Sequence, residues 1–506
     1  MFNINFKDNR WALLYCSISA IGALVYGYDN TYYSGVIAMQ EFKNDFGDHY
    51  EDGNMALAVS FTSLTSSSIY IGDLLGALLS GPVNDRWGRK LTFWIASSCI
   101  LAGGIVQVVD THYEGIIVLG RILIGLGVGQ FTVTSLLYMG EIAPVEIRGP
   151  ALNMFQFLQS ISQFVAAGLT QGSNSMNSSL AYKLPMGGLI ILPLLMYIGL
   201  LIIPESPVWY VAKGKIAEAE KALQKINQSD QNYEPSADII ALEETKRRQE
   251  EVREGSSWLS LFVDPIERTK VVYSAGAMFC QQIGGILFFY SYGVIFAEAI
   301  GIKQPFTIQL ITNVLQLLAV GISVLVGNKW RRRPTLFITT AMSFVAFIVI
   351  GSLGTNKNLS TGAQYVIVVF SYMIIIAANL GFGPLAYTIA REMCVGVNQN
   401  KIMSASIVIF YLTTWLVSFT APYLYYNANL GPMICFIYAG TSIICGIYIY
   451  FCVGETTGRT TLELQVLFQE DIPARCWRTF VFAPEDSAMD KKLESDHFEG
   501  TESVVV

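Results

Sequence analysis

Residues 81–90 read GPVNDRWGRK. Asp85, Arg86, Arg89 and Lys90 crowd this short knot, while the flanking runs 64–83 and 91–109 hold a single charge between them, Asp73. Each run is close to the roughly 20 residues that a helix needs to cross a hydrocarbon core of about 30 Å. A knot of mostly positive charge between two such runs reads as a tight turn on the cytosolic face of a membrane.

The knot has an echo. GNKWRRRP (327–334) follows a later apolar run, with Asp85 and Asn328 lying 243 residues apart. GEIAPVEIRG (140–149) is echoed by REMCVGVNQNK (391–401), with Glu141 and Glu392 separated by 251 residues. PESPVWY (204–210) is echoed by GETTGRT (454–460), with Glu205 and Glu455 separated by 250. Three features recur in order at one offset, which describes a duplicated six-helix unit. In that architecture a substrate site forms between the halves near the bilayer midplane.

Composition agrees. Charged residues are 14% of the 506 against about 25% in soluble domains. Residues 208–270 hold 22 of the 71 charges and 454–506 hold 16, leaving 33 over the other 390 positions. Such a chain cannot cover itself with a solvated surface, so an integral membrane protein is expected and a soluble enzyme is excluded. The net charge of −7 sits in termini and loops and argues for no nucleic-acid partner.

A window of about 20 residues predicts twelve spans: 11–37, 64–83, 91–109, 116–139, 150–170, 185–203, 271–297, 305–327, 334–353, 364–390, 402–426 and 431–453. The expected organisation is a six-helix bundle over 1–203, a cytosolic helical linker over 204–270, a second bundle over 271–453 and a tail over 454–506. Within the linker KIAEAEKALQKI and IIALEETKRRQEEVREG read as soluble helices. The tail is expected to be largely disordered after about 478. Ten Lys/Arg in the loops following spans 2, 4, 8 and 10, against four in the opposite loops, place both termini in the cytosol. Asn177 and Asn358 are then glycosylation acceptors facing outward, while Asn227 lies on the wrong side. No small-residue cleavage site precedes the first span, which is expected to direct insertion itself.

Ionisable groups inside a membrane are costly and therefore candidates for function. Asp29 ends GALVYGYDNTYYSG and Arg121 opens span 4, so the two can pair as a proton switch or as a permanent clamp. Asp73 has no obvious partner. In span 5, Gln156, Gln159, Ser160 and Gln163 fall at helical spacing, and span 8 repeats the pattern with Gln309, Thr312, Asn313 and Gln316. Polar stripes of this kind line cavities or glue helices together. Span 7 adds Gln281 and Gln282. Neutral donor–acceptor amides suit a polyhydroxylated ligand. Tyr26, Tyr387 and Trp415 are candidate platforms for the C–H face of a sugar ring. Gly125 and Gly129 form a small-xxx-small pair for close helix approach. The histidines 49, 112 and 497 are scattered and no phosphate-binding loop is present, so neither a metal nor a nucleotide cofactor is expected.

On the cytosolic face Asp85, Arg86, Arg89, Glu141, Arg148, Glu205, Arg332, Arg333, Glu392, Glu455 and Arg459 provide acids and bases from both halves. They are expected to form an ionic latch between the bundles, closed in one transport state and broken in the other.

GYD (27–29), GPVNDRWGRK, GR (120–121) with GLGVG (125–129), EIAPVEIRG, PESPVWY, QQIGG (281–285), GFGPLAY (381–387) and GETTGRT occur in this order, and together they resemble the sugar porter family of the major facilitator superfamily. The resemblance runs from about residue 20 to 470. It implies an all-α integral membrane protein of twelve helices in two pseudo-symmetric bundles. It also implies that Asp29 is the proton site of symporting members and Arg121 its partner. Gln156, Gln281, Gln282 and Gln316 match sugar-binding amides, with Asn313 a rival to Gln316, and Tyr26, Tyr387 and Trp415 match aromatic positions around the sugar. Leu287 stands where the family has an asparagine, Tyr387 where it has tryptophan, Thr414 where it has an amide and Val208 where it has arginine. The reading is an alternating-access carrier of a sugar, a hexose symported with H+, acting as a monomer in the plasma membrane without a cofactor. A proton-independent facilitator and a non-transporting sugar sensor remain the alternatives.

Overall fold

The computed structural model describes residues 9–51, 54–109, 113–229, 233–254, 257–326, 330–356, 359–457 and 459–480. Its long helices fall into two sets of six. The first comprises Arg10–Ser19 with Ile21–Val36 (span 1), Val59–Trp87 (span 2), Arg89–Val108 (span 3), Glu114–Ile142 (span 4), Val145–Ser173 (span 5) and Leu180–Ile202 (span 6). The second comprises Pro265–Ile283 with Ile286–Ala299 (span 7), Pro305–Val326 (span 8), Arg332–Leu353 (span 9), Thr361–Leu380 with Phe382–Met393 (span 10), Gln399–Pro422 (span 11) and Ile434–Cys452 (span 12). By length and composition, ten of these spans are apolar enough to cross a membrane. Spans 2 and 5 are not among the ten, although each is 29 residues long. Their runs of Ser/Thr and Gln lower the mean hydropathy, because these helices face other helices and the central cavity more than lipid.

Spans 2 and 4 press backbone against backbone. A Cβ at Gly125 would stand 2.2 Å from the Ile69 carbonyl oxygen, and one at Gly129 would stand 2.1 Å from that of Asp73. The small-xxx-small pair therefore acts as expected, letting dispersion contacts accumulate where lipid supplies no hydrophobic drive.

Besides a one-residue interruption of span 1 at Ala20, two spans expected to be continuous are broken. Span 7 interrupts at Gly284–Gly285, where Gly285 adopts φ 81° and a Cβ would stand 2.7 Å from the Tyr438 ring. Span 10 interrupts at Gly381, ahead of Pro384. Breaks of this kind free backbone groups, and membrane proteins tolerate them where the chain lines a cavity. Both breaks border the cavity described below: Ile286 and Leu287 on one side, Phe382, Gly383 and Pro384 on the other.

The loop after span 1 folds as a helix, Gln40–Phe46, and a short antiparallel pair, His49–Glu51 with Asn54–Ala56. The linker forms Pro207–Ala212, Ile216–Ile226, Ser236–Glu254 and Ser260–Val263. Its two longest helices are those expected from sequence, and a small core of Val211, Ala219, Leu223 and Ile239 holds them together. After span 12 a capping box of Thr460 and Glu463 starts the helix Thr461–Gln469, and the fully buried Trp477 ring covers Gly454. Residues 481–506, expected to be disordered, lie outside the described residues.

Candidate functional site

Span 1 carries Asp29 and span 4 carries Arg121, and the two meet. The Arg121 Nη1 donates to Asp29 Oδ1 at 2.9 Å, with both side chains only 4% exposed. Arg121 is also held from elsewhere. Its Nη1 reaches the Tyr32 hydroxyl at 3.3 Å, its Nε donates to the Thr65 carbonyl at 3.2 Å, and its guanidinium lies 4.2 Å from the centre of the Tyr33 ring. Tyr32 in turn donates to Gln107 at 2.8 Å. Arg121 is thus fixed by several neighbours while Asp29 depends on the arginine. Asp73 is buried in span 2, and its Oδ1 has no hydrogen-bond partner among the described residues.

Between the halves lies a cavity of about 400 Å³. Of the expected sugar contacts, Tyr26, Gln156, Gln281, Gln282, Gln316 and Tyr387 line it. Asn313 and Trp415 do not. Asn313 donates back to the Gln309 carbonyl within its own helix, and Trp415 stacks on Phe419 with ring centres 5.6 Å apart. The amides that do line it are incompletely satisfied. Gln281 donates to the Gly383 carbonyl at 3.0 Å, leaving its Oε1 unpaired. Gln316 donates across the halves to Gln163 Oε1 at 2.5 Å and likewise leaves its Oε1 unpaired. The side-chain amides of Gln156, Gln159 and Gln282 have no protein partner among the described residues. Buried polar groups are nearly always paired, so such a set marks a place where a ligand or water completes the bonding.

The wall also includes residues that the sequence reading did not select. Tyr70 projects from span 2, and Asn379 of span 10 donates to the Tyr290 hydroxyl of span 7 at 2.7 Å. The signal for Asn379 was present, because it is an amide deep in the apolar run leading to the break at Gly381. Among the described residues no carboxylate lines the cavity, and its only cation is Arg332 at one end.

Arg332 connects the cavity to the charged face. There the ion pairs, among the described residues, tie helices within each half, and none of them bridges the halves in this one state. In the first half Arg89 forms a two-point pair with Glu141 at 2.6 and 2.9 Å, while Glu205 accepts from the backbone N–H groups of Arg89 and Lys90, both at 3.0 Å. In the second half Arg332 pairs with Glu392 at 3.0 Å, and Glu455 accepts from the Arg332 backbone N–H at 3.0 Å. The duplication therefore repeats in three dimensions, one arginine and two glutamates per half. Burial pushes the Glu205 carboxyl above its usual value, with the N–H groups of Ser206, Lys90 and Arg89 pulling against it. Asp85 and Arg86 are exposed and form no ion pair among the described residues. Arg333 donates to the Tyr450 carbonyl of span 12 and to the Arg475 carbonyl of the tail, and Arg459 donates to the carbonyls of Trp477 and Phe480, so both anchor the tail. Arg148 belongs to a stretch whose side chains fall outside the described residues.

On the opposite face the halves are joined directly. Lys43 pairs with Glu298 at 2.9 Å, Gln171 donates to Thr307 at 3.1 Å, and Gln309 donates to Ser34. The cavity is thus closed on the Lys43 side and reaches toward the Arg89 and Arg332 side.

Two pseudo-symmetric six-helix bundles, broken helices and an amide-walled cavity between the halves define a multi-pass membrane carrier rather than an enzyme. The family description "Sugar (and other) transporter" matches residues 15–468, and the chain belongs to that family. It is 26% identical to the hexose transporter HXT10 of Saccharomyces cerevisiae over 93% of this chain and 87% of that one. It is 28% identical to the major facilitator-type transporter ecdD of Aspergillus rugulosus over 92% of this chain and 88% of that one. In fold it is similar to the inward-open xylose transporter XylE of E. coli, with a TM-score of 0.74 and 21% identity over 90% of this chain and 99% of that one.

Proposed function

We propose that the chain is a secondary active carrier that imports a hexose-class monosaccharide together with a proton across the plasma membrane, with both termini cytosolic. The observation that carries this reading is the position of the buried Asp29–Arg121 pair. Asp29 lies three residues from Tyr26 on one helix, so both side chains share a face, and Tyr26 lines the cavity with the unpaired glutamine amides. Neutral amides and phenols, with no carboxylate in the wall among the described residues, suit an uncharged polyhydroxylated ligand.

The geometry also supports a mechanism. A proton delivered to Asp29 removes the charge that Arg121 balances, while Arg121 keeps its bonds to Tyr32 and Thr65. The hold of Arg121 on span 1 then falls to its uncharged contacts with Tyr32 and Tyr33 on that helix, so span 1 shifts more easily against span 4, and Tyr26 shifts with it. With the termini cytosolic, the cavity described above faces the cytosol and the Lys43–Glu298 face is external. Sugar release in this state, followed by loss of the proton, would re-form the pair and return the carrier. The sugar itself is held by Gln156, Gln281, Gln282 and Gln316, and no cofactor takes part.

Uptake of labelled hexoses into transporter-deficient yeast, with the external pH recorded, tests the reading. Accumulation above the external concentration with alkalinisation of the medium is expected. Equilibration without proton movement would make the chain a facilitator, and binding without uptake would make it a sensor.

A further inference from the structure

We propose that Gln159 determines specificity by bonding a ligand hydroxyl through its side-chain amide. This rests on the sugar-carrier reading and adds a contact on span 5. Gln159 lines the cavity and is 9% exposed, yet its amide has no protein partner among the described residues. Its neighbours on the same helical stripe differ in this respect. Gln163, one turn further along, is engaged by Gln316, whereas Gln156 lies more open to the cavity.

Gln159 is also anchored through its backbone. Its backbone carbonyl sits where a Cβ on Gly27 would stand 2.1 Å away, so spans 1 and 5 touch main chain to main chain there. A side chain projecting from such a contact has a defined origin, and fixing polar groups before the ligand arrives lowers the ordering cost of binding. From the second half, Leu287 lines the same cavity and offers only methyl groups. A hydroxyl directed at Leu287 would lose its hydrogen bonds to water without replacement, whereas one directed at Gln159 can both donate and accept. The ligand is therefore oriented with a hydroxyl toward span 5 and a C–H face toward Leu287.

The test pairs variants with deoxy sugars, using the purified full chain in detergent. D-glucose, D-galactose, D-fructose and D-xylose are screened for binding by calorimetry, and the monodeoxy series of the sugar that binds is then measured. One monodeoxy analogue is expected to bind the native chain roughly fivefold to hundredfold more weakly than its parent, as for one unmet buried polar group. The same analogue and its parent should bind Gln159→Leu with equal affinity. Gln159→Asn, which keeps the amide but shortens its reach, should show partial discrimination and guards against a folding defect in the leucine variant. If every deoxy analogue loses the same factor in native and variant chains, Gln159 makes no direct contact and the proposal is overturned. If the native chain binds none of these sugars, the sugar-carrier reading fails, and this proposal with it.

Discussion

At the residue scale, the ion pair in the first half carries the strongest claim. Asp29 and Arg121 stand 92 positions apart, and their charges inside apolar runs were enough to expect a meeting that the structure shows at 2.9 Å. Asp29→Asn keeps the size and a hydrogen-bonding oxygen but cannot titrate. It is expected to abolish sugar-driven alkalinisation and accumulation while leaving sugar exchange in part, as read from counterflow in vesicles. A variant that still concentrates sugar would reduce the pair to a helix clamp. Gln282 is 7% exposed and unpaired, so Gln282→Ala should cost about 1–3 kcal/mol of sugar binding and raise apparent KM roughly fivefold to hundredfold. Unchanged KM in a well-expressed variant would remove it from the site. Other residues could not be ranked from their type. Asn313 and Gln316 sit three apart on one stripe, and only the packed helix shows that Gln316 lines the cavity while Asn313 bonds back to its own backbone. Gln316 also meets Gln163 across the halves, a pairing without any local sequence signal.

At the element scale, helix faces were easier to read than helix continuity. The glycine pair of span 4 pointed to a close contact, and the close approach to span 2 follows. Gly129→Val should therefore force the Asp73 carbonyl away, overpacking a seam at a cost of about 1–3 kcal/mol. Gly140→Ala in the same helix meets nothing within 4 Å and serves as the control. Thermal unfolding followed by size-exclusion fluorescence should show a lowered midpoint for the first variant and an unchanged one for the second. Equal midpoints would mean that the seam has room to relax. Continuity was harder. QQIGG and GFGPLAY contain the residues that break spans 7 and 10, but glycine is common in membrane helices, so its presence does not by itself predict an interruption. The break at Gly285 needs the Tyr438 and Phe347 rings that close around it, and those come from spans 12 and 9.

At the scale of the whole molecule, the charged face and its opposite behave differently. Arg89–Glu141 and Arg332–Glu392 each close within a half, so they move with their bundle rather than holding the two together. The contacts between halves on the other face, Lys43–Glu298 among them, must part when the cavity opens there. Exposed pairs of this kind are worth little singly, at about 0–1 kcal/mol, which lets them form and break during a cycle. A bifunctional thiol reagent bridging Lys43→Cys and Glu298→Cys should stop uptake, and cleaving the bridge should restore it, with the native chain treated identically as the control. Continued uptake in the bridged protein would show that this face does not open.

The sequence by itself determined the class: charge scarcity, run length and a threefold echo at one offset leave little besides two six-helix halves in a membrane. These are properties of composition and period, which act along the chain and survive without contacts. It also placed Asp29, Arg121 and most cavity amides among the candidates, because polarity inside an apolar run is itself anomalous. The tertiary structure alone decided which acids and bases pair. Arg89 could have joined any of several glutamates on its face, and it is the geometry at the span 3 terminus that gives it to Glu141 while Glu205 takes the backbone N–H groups. Pairing depends on distances of a few ångströms between helices that the sequence orders but does not dock. For that reason the within-half clasps seen in this one state, Arg89 with Glu141 and Arg332 with Glu392, could not be assigned from sequence.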